Sequence, residues 1–162
     1  MARIPAVDPE SVDADLTEPA RDPFYGIVAH RPEILEAWSE LDKVFFGPSS
    51  TVSNAVKEES RRVLSQGVGC TYCASLGAPR EEHPDRREAL AVAFAELLLT
   101  DHREIDDSTF AVLREEFTDE EIVELVTWLC FKYGSNMFGS LMRLSPATEA
   151  QVEGYAQFVA TG

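Results

Sequence analysis

The sequence predicts an all-α fold: a single helical bundle of about seven helices, preceded by an extended N-terminal arm. Apolar residues recur at spacings of three and four from Phe24 onward, and no segment shows the strict alternation of a β-strand. The chain has 162 residues, of which 44% are apolar, which suffices for one domain with a core. Residues 1–22 are rich in Pro, Asp and Glu and show no sustained period. We therefore assign 1–22 to an arm, mobile or laid against a neighbour, and 23–162 to the helical domain.

The first two predicted helices follow this arm. Pro32 suits the first position of a helix, and the run behind it ends at Gly47-Pro48. Its apolar residues recur at helical spacing: Ile34, Leu35, Trp38, Leu41 and Phe45. A second helix is predicted over residues 52–66, with Val52, Val56 and Val63 on one stripe.

The middle of the chain predicts three shorter elements. Gly67 and Gly69 interrupt the second helix, and a short helix is expected from Cys70 or Thr71. Residues 78–85 are polar and predict a loop. An amphipathic helix then carries apolar residues in one stripe: Leu90, Ala93, Phe94, Leu97 and Leu98. Asp106 or Asp107 caps the next helix, whose apolar residues are Phe110 and Leu113.

Two helices complete the bundle. Thr118 and Glu121 fit a capping box. The helix behind them is apolar almost all round, so we expect it to be the central buried helix, with Cys130 in the core and its end at Gly134. Ser145-Pro146 opens a last helix with one apolar face: Val152, Tyr155, Phe158 and Val159.

The charge excludes several classes of function. The chain has 29 acidic and 14 basic residues, a net charge of −15, which disfavours binding to nucleic acid or to an anionic membrane. No apolar stretch is long enough to span a bilayer, and the N-terminus lacks the apolar run of a secretory signal, which predicts a cytoplasmic protein. Three cysteines make no disulfide scaffold, so thiols, metal ligands or redox groups are expected.

One segment carries candidate chemistry: a Cys-x-x-Cys pair formed by Cys70 and Cys73. On one turn of helix the two thiols share a face, at a spacing compatible with a disulfide. The start of a helix favours thiolate over thiol, so the pair is expected to cycle between dithiol and disulfide. Two inert packed cysteines are an alternative. A zinc site is another, but its further ligands would have to come from Cys130, His83 and His102, at no characteristic spacing.

The surroundings of this pair resemble a known family. Glu58 precedes Cys70 by eleven intervening residues, and Ser65 lies between them. Further similar segments lie at 30–35, 87–96 and 118–122, with Asn136 beyond them. Over residues 24–145 the sequence resembles the alkyl hydroperoxidase D-like, or carboxymuconolactone decarboxylase-like, proteins.

The resemblance implies a peroxidase or disulfide oxidoreductase that needs no cofactor and no metal. The resemblance implies that Cys73 is oxidised to sulfenic acid, that Cys70 closes the disulfide, and that Glu58 relays protons as the base. The substrate would be a peroxide or a disulfide, and an external dithiol would supply the electrons. The resemblance also implies a homo-oligomer, a trimer or an assembly of trimers.

Two of the site assignments that the resemblance implies stay open. The family has a histidine four residues after the second cysteine, and the resemblance implies that it relays protons together with the glutamate. This chain has Gly77 at that position. His83, on the charged loop, either folds back into that role or is a solvated surface residue. Helical periodicity turns Glu59 inward, whereas the spacing to the cysteines favours Glu58. A buried carboxylate near thiols is expected to have a raised pKa.

The sequence therefore favours a thiol-dependent oxidoreductase and leaves two alternatives. One is a lyase or decarboxylase-like enzyme acting on a small organic acid, although decarboxylase relatives of the family lack the cysteine pair. The other is a non-catalytic oligomeric module of the same fold, which the missing histidine keeps open.

Overall fold

The computed structural model describes residues 1–161, and over that range it is all-helical, as the sequence predicts. Its nine α-helices, in chain order, are α1 (Ala14–Ala20), α2 (Pro23–Val28), α3 (Pro32–Phe46), α4 (Asn54–Val68), α5 (Thr71–Ser75), α6 (Arg86–Asp101), α7 (Asp107–Leu113), α8 (Asp119–Met142) and α9 (Glu149–Thr161). Two 3₁₀ turns cover Pro9–Ser11 and His102–Glu104. Helices α3 to α9 are the seven that the sequence predicts, and the predicted polar loop lies between α5 and α6.

The N-terminal segment differs from the extended arm predicted for residues 1–22. It contains α1, and α2 follows directly. The Asp22 carboxylate caps α2 by accepting hydrogen bonds from the N–H groups of Phe24 and Tyr25. Backbone hydrogen bonds tie the segment to its own chain: the N–H of Arg3 donates to the carbonyl of Met142, 2.9 Å away. The segment is therefore packed on the helical domain and is neither extended throughout nor free.

The central helix of the bundle is α4, and the prediction that α8 holds this place is wrong. Helix α4 packs against α5, α6, α8 and α9, and residues 56–61 are buried at every position. Helix α8 also continues through Gly134 to Met142, where the sequence predicts an earlier end.

One face of α8 is exposed along most of the helix. The residues of this face, which we call the α8 stripe, are Val123, Thr127, Cys130, Gly134, Met137 and Leu141. The prediction that Cys130 is a core residue is therefore wrong for the single chain, since its side chain is exposed. An apolar surface of this kind is typical of a face that another molecule covers.

The core divides into two clusters. The larger one surrounds Trp128, which is fully buried and donates its ring N–H to the carbonyl of Lys57 at 3.0 Å. The smaller cluster packs α2 and the start of α3 against α5, so that the two cysteines of the motif lie among buried side chains. Between residues 1 and 161, no helix is long and apolar enough to cross a membrane.

Candidate active site

The cysteine pair lies at the junction of α4 and α5. Gly69 ends α4 in the left-handed conformation, with φ of +77°, and so turns the chain toward α5. Cys70 occupies the N-cap position of α5, where its Sγ accepts a hydrogen bond from the N–H of Cys73 at 3.2 Å. A disulfide joins the two residues, whose Cα atoms are 5.3 Å apart. The pairing expected from the spacing is thus present.

The two cysteine residues differ in their exposure to solvent. Cys70 is fully buried, whereas Cys73 is 8% exposed and borders a large cavity. Behind them, α8 approaches so closely at Gly139 that a Cβ there would lie 2.6 Å from the Sγ of Cys70 and 3.4 Å from the Sγ of Cys73. Only glycine leaves room for the disulfide against this helix, and a molecule in the cavity reaches Cys73 first.

The cavity has a volume of about 1100 Å³ and lies between the N-terminal helices, α3, α8 and α9. Seven aromatic side chains line it: Phe24, Tyr25, Trp38, Phe46, Tyr72, Tyr155 and Phe158. Trp38 and Tyr72 border this cavity, whereas Trp128 is buried in the core. The cavity gives Cys73 a predominantly apolar approach.

Glu58 is 6% exposed and fully engaged in hydrogen bonds. It accepts from both the Nε and the Nη2 of Arg61, at 2.9 and 2.7 Å, from Arg62 at 3.1 Å, and from the hydroxyl of Tyr155 at 2.7 Å. Burial alone would raise the pKa of this carboxyl, but the hydrogen bonds and positive charge of the arginines lower it below its ordinary value. The expectation of a raised pKa is therefore wrong: Glu58 is ionised at neutral pH.

Arg61 connects Glu58 to the cysteine pair. Its Nη1 donates to the backbone carbonyl of Cys73 at 2.8 Å and to the hydroxyl of Ser65 at 3.0 Å. The guanidinium is 4% exposed and also borders the cavity. A fixed positive charge in a weakly hydrated place favours the thiolate form of a neighbouring cysteine.

Glu59 is buried as well, but it belongs to a different cluster. Its carboxylate pairs with Arg62 at 3.1 Å and with Arg80 of the loop after α5, and the ring of His83 lies 4.0 Å away. His83 is closer to Glu88, at 3.1 Å. The structure thus places His83 between two carboxylates, and its contacts tie the loop to α4 and α6.

Position 77 does not face the cysteine sulfurs. Helix α5 ends at Ser75, and Gly77 has a φ of +152° that L-residues rarely adopt. A Cβ on Gly77 would lie 2.9 Å from the Nε of Arg62. A side chain at this position would therefore meet Arg62, because the helix has already ended before the chain reaches it.

Asn136 is a buried polar residue of α8. It is 2% exposed and borders the cavity, its Oδ1 accepts from the hydroxyl of Ser65 at 3.3 Å, and its Nδ2 is buried with no hydrogen-bond partner. Buried polar groups are almost always paired, so the amide N–H of Asn136 is an exception to this rule.

Sequence reasoning did not assign a role to Arg61, Tyr155 or Asn136. Arg61 follows Glu58 by three residues on one helix, a spacing that brings the two side chains together and would have indicated the pair. Tyr155 lies 97 residues from Glu58 and reads only as part of an apolar face. In the part of the chain that the structure describes, no cluster of three or more His, Cys, Asp or Glu side chains suits a metal ion.

No protein-family model matches the sequence. No curated protein matches it closely enough to indicate a relationship. Among solved structures, the crystal structure of an uncharacterized peroxidase-related protein from Silicibacter sp. TM1040 is similar, with a TM-score of 0.73. The two sequences are 20% identical, and the match covers 91% of this chain and 94% of the other. At this identity the likeness establishes a shared fold.

Proposed function

We propose that this protein is a thiol-dependent oxidoreductase of the alkyl hydroperoxidase D-like type that reduces a peroxide or a disulfide. The observation that carries the proposal is the Cys70–Cys73 disulfide, with one sulfur bordering a large cavity and the other enclosed behind it. The spacing of Glu58 to the cysteines supports it, as does the description of the structural neighbour as peroxidase-related. A reducing compartment such as the cytoplasm would supply the dithiol.

With a peroxide as substrate, the reaction proceeds in three steps. The Cys73 thiolate attacks one peroxide oxygen, the O–O bond breaks, and the second oxygen leaves as water or an alcohol after taking a proton. The thiol of Cys70 then attacks the sulfur of the Cys73 sulfenic acid, which closes the disulfide and releases water. An external dithiol reduces this disulfide by exchange and becomes a disulfide itself. Two electrons pass from the dithiol to the peroxide.

Arg61 supplies a positive charge near Cys73, but a guanidinium stays protonated and does not relay protons as the histidine of the resembling family does. Its charge favours the Cys73 thiolate. Glu58 holds the guanidinium in place by accepting two hydrogen bonds from it, and the hydroxyl of Tyr155 donates a further hydrogen bond to Oε2 of the same carboxylate. Because the pKa of Glu58 is lowered, the carboxylate accepts a thiol proton less readily than a free one, which predicts slow peroxide reduction.

Free-thiol titration under native conditions tests this function. The reduced protein is treated with mild peroxide, and its thiols are counted before and after, and again after a dithiol reductant is added. We expect the loss of two thiols per chain and their recovery, with Cys130 remaining free. No loss of thiols would contradict the proposal and favour a non-catalytic module. A mapped bridge that involves Cys130 would contradict the assignment of the pair.

We also propose that the protein is a homo-oligomer, with a trimer as its unit. The α8 stripe supports this, since it exposes Val123 at 67% and Leu141 at 55% without a charged side chain among its members. An uncharged face lets copies with a net charge of −15 approach each other. Light scattering should give three times 18.0 kDa, or a multiple of that trimer mass, and Met137→Glu should lower the measured mass. A wild-type monomer at micromolar concentration would contradict the proposal.

A further inference from the structure

Glu58, the candidate base, has no direct access to the cavity that Cys73 borders. Among residues 1–161, Arg61 and Tyr155 both border the cavity and bind Glu58, whereas Glu58 itself does not border it. A guanidinium stays protonated, so Arg61 neither takes nor gives up the proton. A proton from the cavity therefore needs another route to the carboxylate, and the hydroxyl of Tyr155 offers one.

The contacts of Tyr155 place it at the Cys73 end of the cavity. Its hydroxyl donates to Oε2 of Glu58 at 2.7 Å, and the same oxygen accepts from Nε of Arg61 at 2.9 Å. Nη1 of that guanidinium lies 2.8 Å from the backbone carbonyl oxygen of Cys73. The centre of the Tyr155 ring is 5.1 Å from Cζ of Arg61, so the ring packs on the guanidinium. Tyr155 is thus held against the residue that contacts Cys73.

Two other tyrosines border the cavity, but their hydroxyls serve different contacts. The hydroxyl of Tyr25 donates to Asp42 of α3 at 2.5 Å. The hydroxyl of Tyr72 donates to Asp22, the residue that caps α2. Tyr155 differs from both because its carboxylate partner is the candidate base.

The protonation states of Tyr155 and Glu58 suit a relay. Burial of its hydroxyl raises the pKa of Tyr155 well above its ordinary value, and the charge of Arg61 opposes this only in part. The pKa of Glu58 is lowered, so at neutral pH the tyrosine holds its proton and the carboxylate has none. A hydroxyl can accept one proton while it gives up another. A proton can therefore pass from the cavity to Glu58 without leaving a charge on the tyrosine.

We propose that Tyr155 is the proton relay between Glu58 and the reacting atoms at Cys73. This inference rests on the proposed peroxidase function. As the Cys73 thiol ionises, its proton moves to the oxygen of Tyr155, and the tyrosine's own proton moves to Glu58. When the thiolate attacks the peroxide and the O–O bond breaks, the leaving oxygen takes a proton from Tyr155, which recovers one from Glu58. Both side chains then return to their starting states, and no net proton is gained or lost.

Two oxidants with different leaving groups test the relay. Hydrogen peroxide releases a strongly basic oxygen that needs a proton, whereas peracetic acid releases acetate, a weak base that leaves without one. The second-order rate constant for oxidation of the reduced protein is measured with each oxidant in the wild type, Tyr155→Phe and Tyr25→Phe. The ratio of the two constants isolates proton delivery, because a change in the Cys73 thiolate affects both. Tyr25→Phe is the matched control, since it removes a hydroxyl from the same cavity.

Tyr155→Phe should lower the ratio of the hydrogen peroxide constant to the peracetic acid constant by about 100-fold, the lower end of what one positioned acid–base group contributes. Tyr25→Phe should keep the wild-type ratio. If Tyr155→Phe slows both oxidants by the same factor or slows neither, or if Tyr25→Phe lowers the ratio as much, the relay is wrong. If neither oxidant converts the wild-type thiols to the disulfide, the proposed function itself is overturned.

A second measurement uses the wild type alone and so does not depend on the folding of a variant. The hydroxyl proton of Tyr155 exchanges with solvent, and in the relay it moves while the O–O bond of hydrogen peroxide breaks. Transfer from H₂O to D₂O should therefore slow the reaction with hydrogen peroxide by a larger factor than the reaction with peracetic acid. Equal factors for the two oxidants would overturn the relay.

Discussion

The close approach of α8 to the disulfide predicts that Gly139→Ala shifts the cysteine pair toward the dithiol. The new methyl group would lie 2.6 Å from the Sγ of Cys70, inside van der Waals contact. In the disulfide both sulfurs are fixed by their bond and cannot move away. In the dithiol, the Cys70 side chain can rotate about its own Cα–Cβ bond and relieve the contact.

The size of this effect follows from two terms. Adding a methyl group to a packed site costs about 1–3 kcal/mol, and most of this cost falls on the oxidised form. Replacing glycine by alanine inside a helix returns about 1 kcal/mol, but equally in both forms, so it cancels. Since 30 mV corresponds to about 1.4 kcal/mol for a two-electron couple, the reduction potential should rise by roughly 20–60 mV.

The assay equilibrates the protein in buffers of defined dithiol and disulfide ratio and measures the oxidised fraction by alkylation and mass spectrometry. Gly134→Ala is the matched control, because it lies on the same helix and no atom is within 4 Å of its Cβ position. The control should keep the wild-type midpoint. Identical midpoints for Gly139→Ala, Gly134→Ala and the wild type would refute the packing argument.

Three further predictions concern position 77, Glu58 and the carboxylates whose pKa is lowered. Gly77→His should not accelerate Cys73 oxidation in stopped-flow experiments and should lower the thermal midpoint, because position 77 has a φ of +152° and faces an arginine; a faster reaction would contradict this. Glu58→Gln should slow oxidation and lower the unfolding free energy in urea by about 3 kcal/mol, because it leaves a buried cation unpaired; an unchanged rate would remove Glu58 from the mechanism. The pKa values of Glu58 and of Glu124, a carboxylate on α8 that accepts hydrogen bonds from Ser50, Thr51 and Lys57, are lowered in the fold. Their stabilisation is therefore complete above the ordinary carboxyl pKa and is lost as the pH falls below it. Urea unfolding at pH 7, 5, 4 and 3 should show that decline, and constant stability down to pH 3 would contradict it.

The helices from α3 onward were predictable because their apolar residues recur with the helical period and their ends carry capping residues. Helices α1 and α2 were missed because they are short, and because the prolines and acidic residues of 1–23 leave no sustained apolar period. Asp22 followed by Pro23, an N-cap residue before a proline at the first helical position, was the available signal for α2.

The burial of α4 and α8 could not be predicted from pattern alone. Apolar residues such as Val123 and Cys130 recur with the helical period whether they face the core or the surface. Glu58 and Glu59 are both buried because arginines neutralise them, so the choice between the two by periodicity had no structural basis. What separates them is which neighbours they reach, and Tyr155, the partner of Glu58 on α9, comes from the far end of the chain.

Trapping of the sulfenic acid tests most directly which sulfur reacts with peroxide. Cys70→Ser removes the resolving thiol, and Cys73→Ser removes the thiol that borders the cavity. Each variant is treated with peroxide in the presence of dimedone, and the adduct is located by peptide mass spectrometry. We predict an adduct on Cys73 in the Cys70→Ser variant and none in the Cys73→Ser variant. An adduct on Cys70 or Cys130, or none in either variant, would contradict the assignment of Cys73 as the peroxide-reactive residue.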